Sequence, residues 1–381
     1  MAMPVAITIM CKHFWWQGHS LRIRGSISEI LSHAIGQILG IGSAADMSKI
    51  ALNYRLARFS PPTILSAMNR PLLSLIALLF ITFSVQAESY IHVPGWLKPP
   101  ANKEHIGNLH GEVDVDSKGM IYLSVEGDNG SLQVFRPDGS YSHSVPNMPK
   151  TLHGFVIKDD FIYASVLGEG RVIKATLDGK IVLEIPQGAF PKEKFGPKGL
   201  KLTSVDVAPN GDIFVVDGYG IDWIYVFDSK GNLKHSFGGR DEPYNLNNCH
   251  KIFIDPRYDE PRILCCDRVN LRLVHLTLDG KVIGEYATGL RRPSSASFHD
   301  DLVVIAEIAG RVTVLDKEGN IVSQLGTNDT PSEINTSKTT PEQWKEGVVT
   351  SPHGVAFDNR GNILVTEWNR IGRVLRWDLK P

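Results

Sequence analysis

The chain has 381 residues, 42% hydrophobic and 21% charged, with 35 Gly and 22 Pro, a composition that supports a large, turn-rich core and excludes disorder throughout. Forty Lys and Arg against 41 Asp and Glu leave a formal charge of -1, so overall charge favours neither nucleic acid nor an anionic membrane as partner. Four Cys, none in a C-x-x-C pair, exclude a disulfide-dense scaffold and leave any metal to other ligands.

Residues 1–67 show no strand repeat and carry the cluster Cys11, Phe14, Trp15 and Trp16. They read as an upstream extension outside the mature protein, with Met68 as initiator; a small helical pre-domain around Ile27 to Leu52 is the competing reading. From Met68 to Ala87 a short basic start, an apolar run and a small terminal residue give the layout of a secretory signal. The apolar run, Pro71 to Val85, falls short of the roughly 20 residues a membrane-spanning helix needs. Cleavage after Ala87 and a secreted or periplasmic protein with no membrane span are expected.

From Leu109 onward a pattern recurs: an apolar strand, a turn, a second strand, then a third that runs into a Gly turn. Second strands are expected at Met120–Ser124, Phe161–Ser165, Ile213–Asp217, Ile263–Asp267, Leu302–Ala306 and Ile363–Glu367. Five third strands lead to Gly139, Gly179, Gly231, Gly280 or Gly319, where glycine supplies the positive φ of a tight hairpin. The 294 residues after Ala87 then divide into six repeats, which predicts an all-β, six-bladed β-propeller over residues 88–381. Its last blade has only three strands of its own before Pro381, so Ser89 to Leu97 is expected to supply the outer strand and close the ring. The polar stretch Thr327 to Gly347 reads as an extended surface loop.

Aligned on their innermost strands, the repeats place His110, His153, Thr203, His250, Ser294 and His353 at equivalent positions. Four of these six are His in a chain with only 13, so something at the axis selects imidazole. Blades two, four and six are a third of a turn apart. His153, His250 and His353 therefore converge at one depth, as three neutral imidazoles do around Zn²⁺ with a fourth position open. His110 is expected outside this threefold set, as a substrate contact or as a hydrogen-bond donor to a ligand His. At the ends of second strands stand Asp217-Gly218-Tyr219 and Asp267-Arg268. Tyr219 could serve as a base beside a cation and Arg268 could grip a carboxylate; equally, the aspartates could cap turns and Tyr219 and Arg268 be rim residues.

These elements resemble the NHL-repeat propellers, and within them the peptidyl-α-hydroxyglycine α-amidating lyases. The likeness covers about residues 107–381 and rests on Leu152-His153-Gly154, Val216-Asp217-Gly218-Tyr219, His250 with Cys266-Asp267-Arg268, and Ser351-Pro352-His353. It implies zinc on His153, His250 and His353, Tyr219 as base, Arg268 on the substrate's carboxylate, and release of a peptide amide and glyoxylate. It further implies a structural Ca²⁺ served by an Asp after the third His, where this chain has Gly354, and a second Arg on the first blade, where it has Glu126. The expected partner is a small-molecule or peptide substrate of a monomer. Two other readings stand beside the lyase: a non-catalytic propeller binding a protein or glycan, and a metal-dependent hydrolase or lactonase.

Overall fold

The computed structural model describes residues 89–101, 103–127 and 131–380. The expected extension and signal segment lie outside the described residues. None of the described residues forms a helix long and apolar enough to cross a membrane.

Six four-stranded antiparallel sheets follow one another along the chain, and the first strand of each contacts its counterparts on both sides, closing a ring. The protein is a six-bladed β-propeller. The inner strands are Val113–Val115, Leu152–Lys158, Ser204–Val207, Cys249–Asp255, Pro293–His299 and Pro352–Phe357, in blades 1 to 6. Position in the blade decides composition. The inner strand of blade 4 and the second strand of blade 6, Ile363–Glu367, are buried at every residue because neighbouring blades cover both faces. The outer strand of blade 2, Ile181–Ile185, is exposed along most of its length.

Six apolar clusters fill the six gaps between blades. Between blades 3 and 4, for example, Phe214, Val216 and Ile224 pack against Ile252, Ile254 and Ile263. Between blades 6 and 1, Ala356 and Leu364 meet Leu109, Val113 and Leu123. Each cluster joins two sheets, so no blade has a core of its own and the ring is the smallest unit that buries them all.

The ring closes as the strand count predicts. Tyr90–His92 pairs antiparallel with the last strand, Val374–Leu379, in the register Tyr90 to Leu379 and His92 to Trp377. Beyond this strand the chain crosses to blade 1, where Lys98 N–H donates to the Gly139 carbonyl and Trp96 Nε1 to the Pro137 carbonyl. The five expected turn glycines all have φ between 83° and 89°. At Gly139 the turn also admits the Trp96 carbonyl, which a side-chain Cβ would meet at 2.1 Å.

Two features add detail to the sequence reading. Residues 327–347 do form a loop, but it is stitched to the rim: Asn335 N–H donates to the Ile308 carbonyl, Ser351 Oγ to the Thr336 carbonyl, and Asn369 Nδ2 to the Thr339 carbonyl. The loop contributes backbone groups to these bonds, while most of its side chains, among them Thr327, Asn335, Thr340 and Gln343, are exposed. His275, away from the axis, lies buried on the third strand of blade 4 with Nε2 3.1 Å from Asp255.

A chain beginning at Val93 should melt lower than one beginning at Ser89, by roughly 5–10 °C, because the last blade then exposes an unpaired edge. Equal melting temperatures by calorimetry would show that the closing strand contributes nothing.

Candidate metal centre

In all six blades the inner strand, or the residues leading into it, either re-aims a side chain at the axis or supplies a fixed carbonyl there. In blades 2, 4, 5 and 6 the pairing with the second strand shifts at Leu152/Gly154, Cys249/Ile252, Pro293/Ser295 and Pro352/Gly354. The extra residue of such a bulge leaves the ladder and turns its side chain elsewhere. His153, His250, Ser294 and His353 occupy these positions, and the three histidines are fully buried.

Each of the three donates its Nδ1 proton to a backbone carbonyl of the next blade: His153 to Thr203 at 2.8 Å, His250 to Ser294 at 2.7 Å and His353 to Gly111 at 2.9 Å. A carbonyl only accepts, so Nδ1 carries the hydrogen and Nε2 keeps its lone pair. Burial, followed by the positive groups nearby, pushes all three imidazoles well below their ordinary pKa, so they are neutral. Their ring centroids form a near-equilateral triangle with sides of 5.0, 5.1 and 4.8 Å.

The Tyr219 hydroxyl lies 3.2 Å from His153 Nε2 and 3.0 Å from His250 Nε2. His353 Nε2 is buried with no hydrogen-bond partner. Three lone pairs thus face the axis, and the Tyr219 hydroxyl has one proton to offer them. The shortfall is one that a cation removes, and neutral nitrogen donors with carbonyl-fixed tautomers suit Zn²⁺. His153, His250 and His353 fit a zinc ion on these grounds.

His110 lies against the trio. Its ring is 5.0 Å from those of both His153 and His353, and one nitrogen from each of these three rings lies within 4.8 Å of the other two. It differs in how it is held. Its Nδ1 faces the Glu126 carboxylate at 3.2 Å, its Nε2 is 3.4 Å from the Tyr219 hydroxyl, and its side chain is 20% exposed. The blade-1 carbonyl that matches Thr203 and Ser294 belongs to Gly111, one residue past His110. His110 is therefore out of register with the other axial residues and sits toward solvent.

The rim residues resolve into two sorts. Asp217 accepts from Lys201 N–H at 2.6 Å and Asp267 from Asn247 N–H at 2.8 Å and Arg272 Nε at 2.7 Å, so both aspartates fix turns. The next residues along, Tyr219 and Arg268, point to the axis. Burial raises the Tyr219 phenol above its usual pKa and Arg268 opposes that rise. Arg268 is 5% exposed and donates through a guanidinium nitrogen to Ser294 Oγ.

Below the histidines is an ion pair that the sequence reading missed. Lys251 Nζ lies 2.5 Å from Glu112 Oε2, which also accepts from Ser295 Oγ at 2.8 Å, while Oε1 accepts from Val355 N–H at 3.1 Å. Gly354 is what leaves room for it, since a Cβ there would stand 2.5 Å from Glu112 Oε1. The acid beside the third His is thus supplied from blade 1 and is neutralised by an ammonium. A charged residue directly after an axial position, as in His250-Lys251, was the available signal, because such a residue must find a partner. Beyond the pair a cavity of about 270 Å³ opens at the far end of the channel, lined among others by Asp114, Asp206, Phe253 and Phe298. Burial there raises the Asp114 carboxyl to about 7, although Ile157 and Val115 N–H groups bind it.

No known family profile matches the chain. The fold is similar to that of a streptogramin B lyase, with a TM-score of 0.51 and 15% identity over 77% of this chain and 97% of that one. It is also similar to a protein of unknown function from Bacteroides thetaiotaomicron, with a TM-score of 0.51 and 12% identity over 72% of this chain and 70% of the other. At such identities the likeness shows the propeller and nothing finer.

Residues 88–381, purified and supplemented with zinc, should hold about one equivalent, and His153→Ala/His250→Ala should lose it. Less than about half an equivalent, or full retention in the double variant, would sink the assignment. Lys251→Met should cost about 3–5 kcal/mol in urea unfolding by stranding Glu112, with most of that recovered in Glu112→Gln/Lys251→Met. If the single and double variants are equally unstable, the pair is not coupled.

Proposed function

We propose that the protein is a secreted or periplasmic, zinc-dependent lyase that cleaves the C–N bond of α-hydroxyglycine-like peptide ends. The observation that carries this reading is the set of three carbonyl-fixed imidazoles whose inward lone pairs outnumber the one hydroxyl proton facing them. The resemblance to the α-amidating lyases supplies the reaction, and streptogramin B lyase is a lyase with a similar fold.

His153, His250 and His353 would hold the metal, which supplies a positive charge that lowers the pKa of a hydroxyl placed beside it. Tyr219 lies against this ring, and its phenol accepts the proton of the substrate's α-hydroxyl as it passes its own proton to the leaving nitrogen. The electrons of that O–H bond form the aldehyde C=O of glyoxylate, and those of the C–N bond pass to nitrogen. Nitrogen gains the proton from the Tyr219 side, completing the peptide amide. Arg268, 5% exposed beside Tyr219, holds the substrate's carboxylate and so fixes the scissile carbon over the histidines. Its short tether to Ser294 Oγ limits the swing of the guanidinium.

Zinc-loaded protein should release glyoxylate from an α-hydroxyglycine peptide. No zinc-dependent release with the metal bound would discard the lyase and leave the site intact. Tyr219→Phe should lower kcat by about 10²–10⁴ while keeping the zinc. Loss of zinc from that variant would mean that the phenol supports the metal rather than the proton transfer.

A further inference from the structure

Most of the buried and half-buried arginines of this propeller are paired with carboxylates. Arg257 meets Asp255, Arg272 meets Asp267 and Glu285, Arg311 meets Glu307, and Arg373 meets Glu367. Arg268 and Arg292 are not: among the described residues neither forms an ion pair, and the Nε of each is buried without a hydrogen-bond partner. Burying an unpaired guanidinium N–H costs free energy that a structure recovers only through a ligand or water.

The two arginines converge through the same short segment. Arg268 binds Ser294 Oγ, and Arg292 stands two residues before Ser294, at the entry to the blade-5 inner strand. Arg292 is held at φ 60°, a left-handed conformation unusual for a residue with a long side chain, and its carbonyl is fixed by Ile308 N–H at 3.1 Å. Burial lowers the Arg268 guanidinium from its ordinary pKa, and the charge on Arg292 adds to that effect, as two neighbouring cations must. An anion placed between them would relieve both the repulsion and the unmet N–H groups.

We propose that Arg268 and Arg292 together form the seat of the substrate's terminal carboxylate, with Arg292 the residue that makes a free carboxylate obligatory. This rests on the lyase reading for the identity of the substrate, and on two guanidinium groups with no carboxylate partner and an unmet buried Nε each for the site itself. A carboxylate has two oxygens and four lone-pair directions, enough for both forks, whereas a carboxamide offers one acceptor and turns two N–H donors toward the cations. Arg292 acts on binding, so its loss should raise KM for acid substrates and leave kcat at saturation largely unchanged.

The test is calorimetric titration of zinc-loaded protein with N-acetylglycine and with N-acetylglycinamide, which carry the acid and the amide but no hydroxyl to react. Wild type should bind the acid and discriminate against the amide. Arg292→Gln should weaken the acid at least about tenfold and leave the amide unchanged. Arg292→Lys, which keeps charge without the fork, should fall between, and carries the test if Arg292→Gln does not fold. The proposal is overturned if wild type does not bind the acid or does not prefer it, or if Arg292→Gln binds it within twofold of wild type. Acid binding that depends on Arg292 without glyoxylate release would remove the lyase and keep the seat. Glyoxylate release whose kcat/KM is unchanged in Arg292→Gln would do the reverse.

Discussion

A ring of sheets is held at its axis by hydrogen bonds that cross from one blade to the next, and in this protein the crossings alternate in kind. From blades 2, 4 and 6, His153, His250 and His353 reach forward to carbonyls of blades 3, 5 and 1. From blades 1, 3 and 5, Asp114, Asp206 and Ser297 reach forward to the N–H groups of Ile157, Ile254 and Phe357. Every interface has at least one such bond near the axis, and the kind alternates around the ring. Each bond is worth about 1 kcal/mol, more for those to carboxylates. The same bond that joins two blades also fixes a tautomer. The imidazoles cannot turn without opening an interface, and their Nε2 lone pairs are presented to the axis as a by-product of holding the ring together. This is the arrangement by which metal-binding sites usually orient a histidine.

The Lys251–Glu112 pair divides the channel. On one side lie imidazoles, a phenol and two arginines; on the other, apolar side chains with Asp114 and Asp206. Taking both charges from water is costly, and the contact recovers that cost only because Ser295 Oγ and the Val355 N–H complete the shell around the carboxylate. The pair spans blades 1 and 4, which are opposite one another in the ring. It therefore crosses the axis where the alternating bonds reach only to neighbours. Its charge sum is zero, so it fills the centre without adding to the positive field of Arg268 and Arg292 above it.

The architecture was legible because its causes are local or periodic. Turn glycines need positive φ, strand cores need alternating or continuous apolar runs, and both recur every blade. The closing strand could be found by counting, since a three-stranded last blade leaves an unpaired edge. The axial histidines were visible as a coincidence among equivalent positions. What stayed hidden depends on register and distance. His110 looked equivalent to Thr203 and Ser294, but the carbonyl register places Gly111 there, and a one-residue slip is enough to move a side chain from one level to another. Glu112 and Lys251 are 139 positions apart, and nothing local says that they meet. Gly354 read as a missing acid, whereas its lack of a side chain is what admits an acid from another blade. Arg292 carried no signal beyond its place before Pro293. Its interest comes from a buried Nε with nothing opposite it, which only coordinates reveal.

The pairing of Tyr90–His92 with Val374–Leu379 also sets an order of events. As the chain emerges, blades 1 to 5 each become complete from contiguous sequence, but the sixth waits for a strand that appeared first and has been idle since. Its pairing joins residues nearly three hundred positions apart, a contact order that slows the final step relative to the formation of the hairpins. Until that step the blade-6 sheet has an open edge and the blade-6 carbonyl bond, from His353 to Gly111, lacks the alignment of a closed ring. The imidazole cluster is thus assembled last. A nascent chain has His153 and His250 in place before His353 can join them, which keeps a three-nitrogen site out of reach until blade 6 has been made.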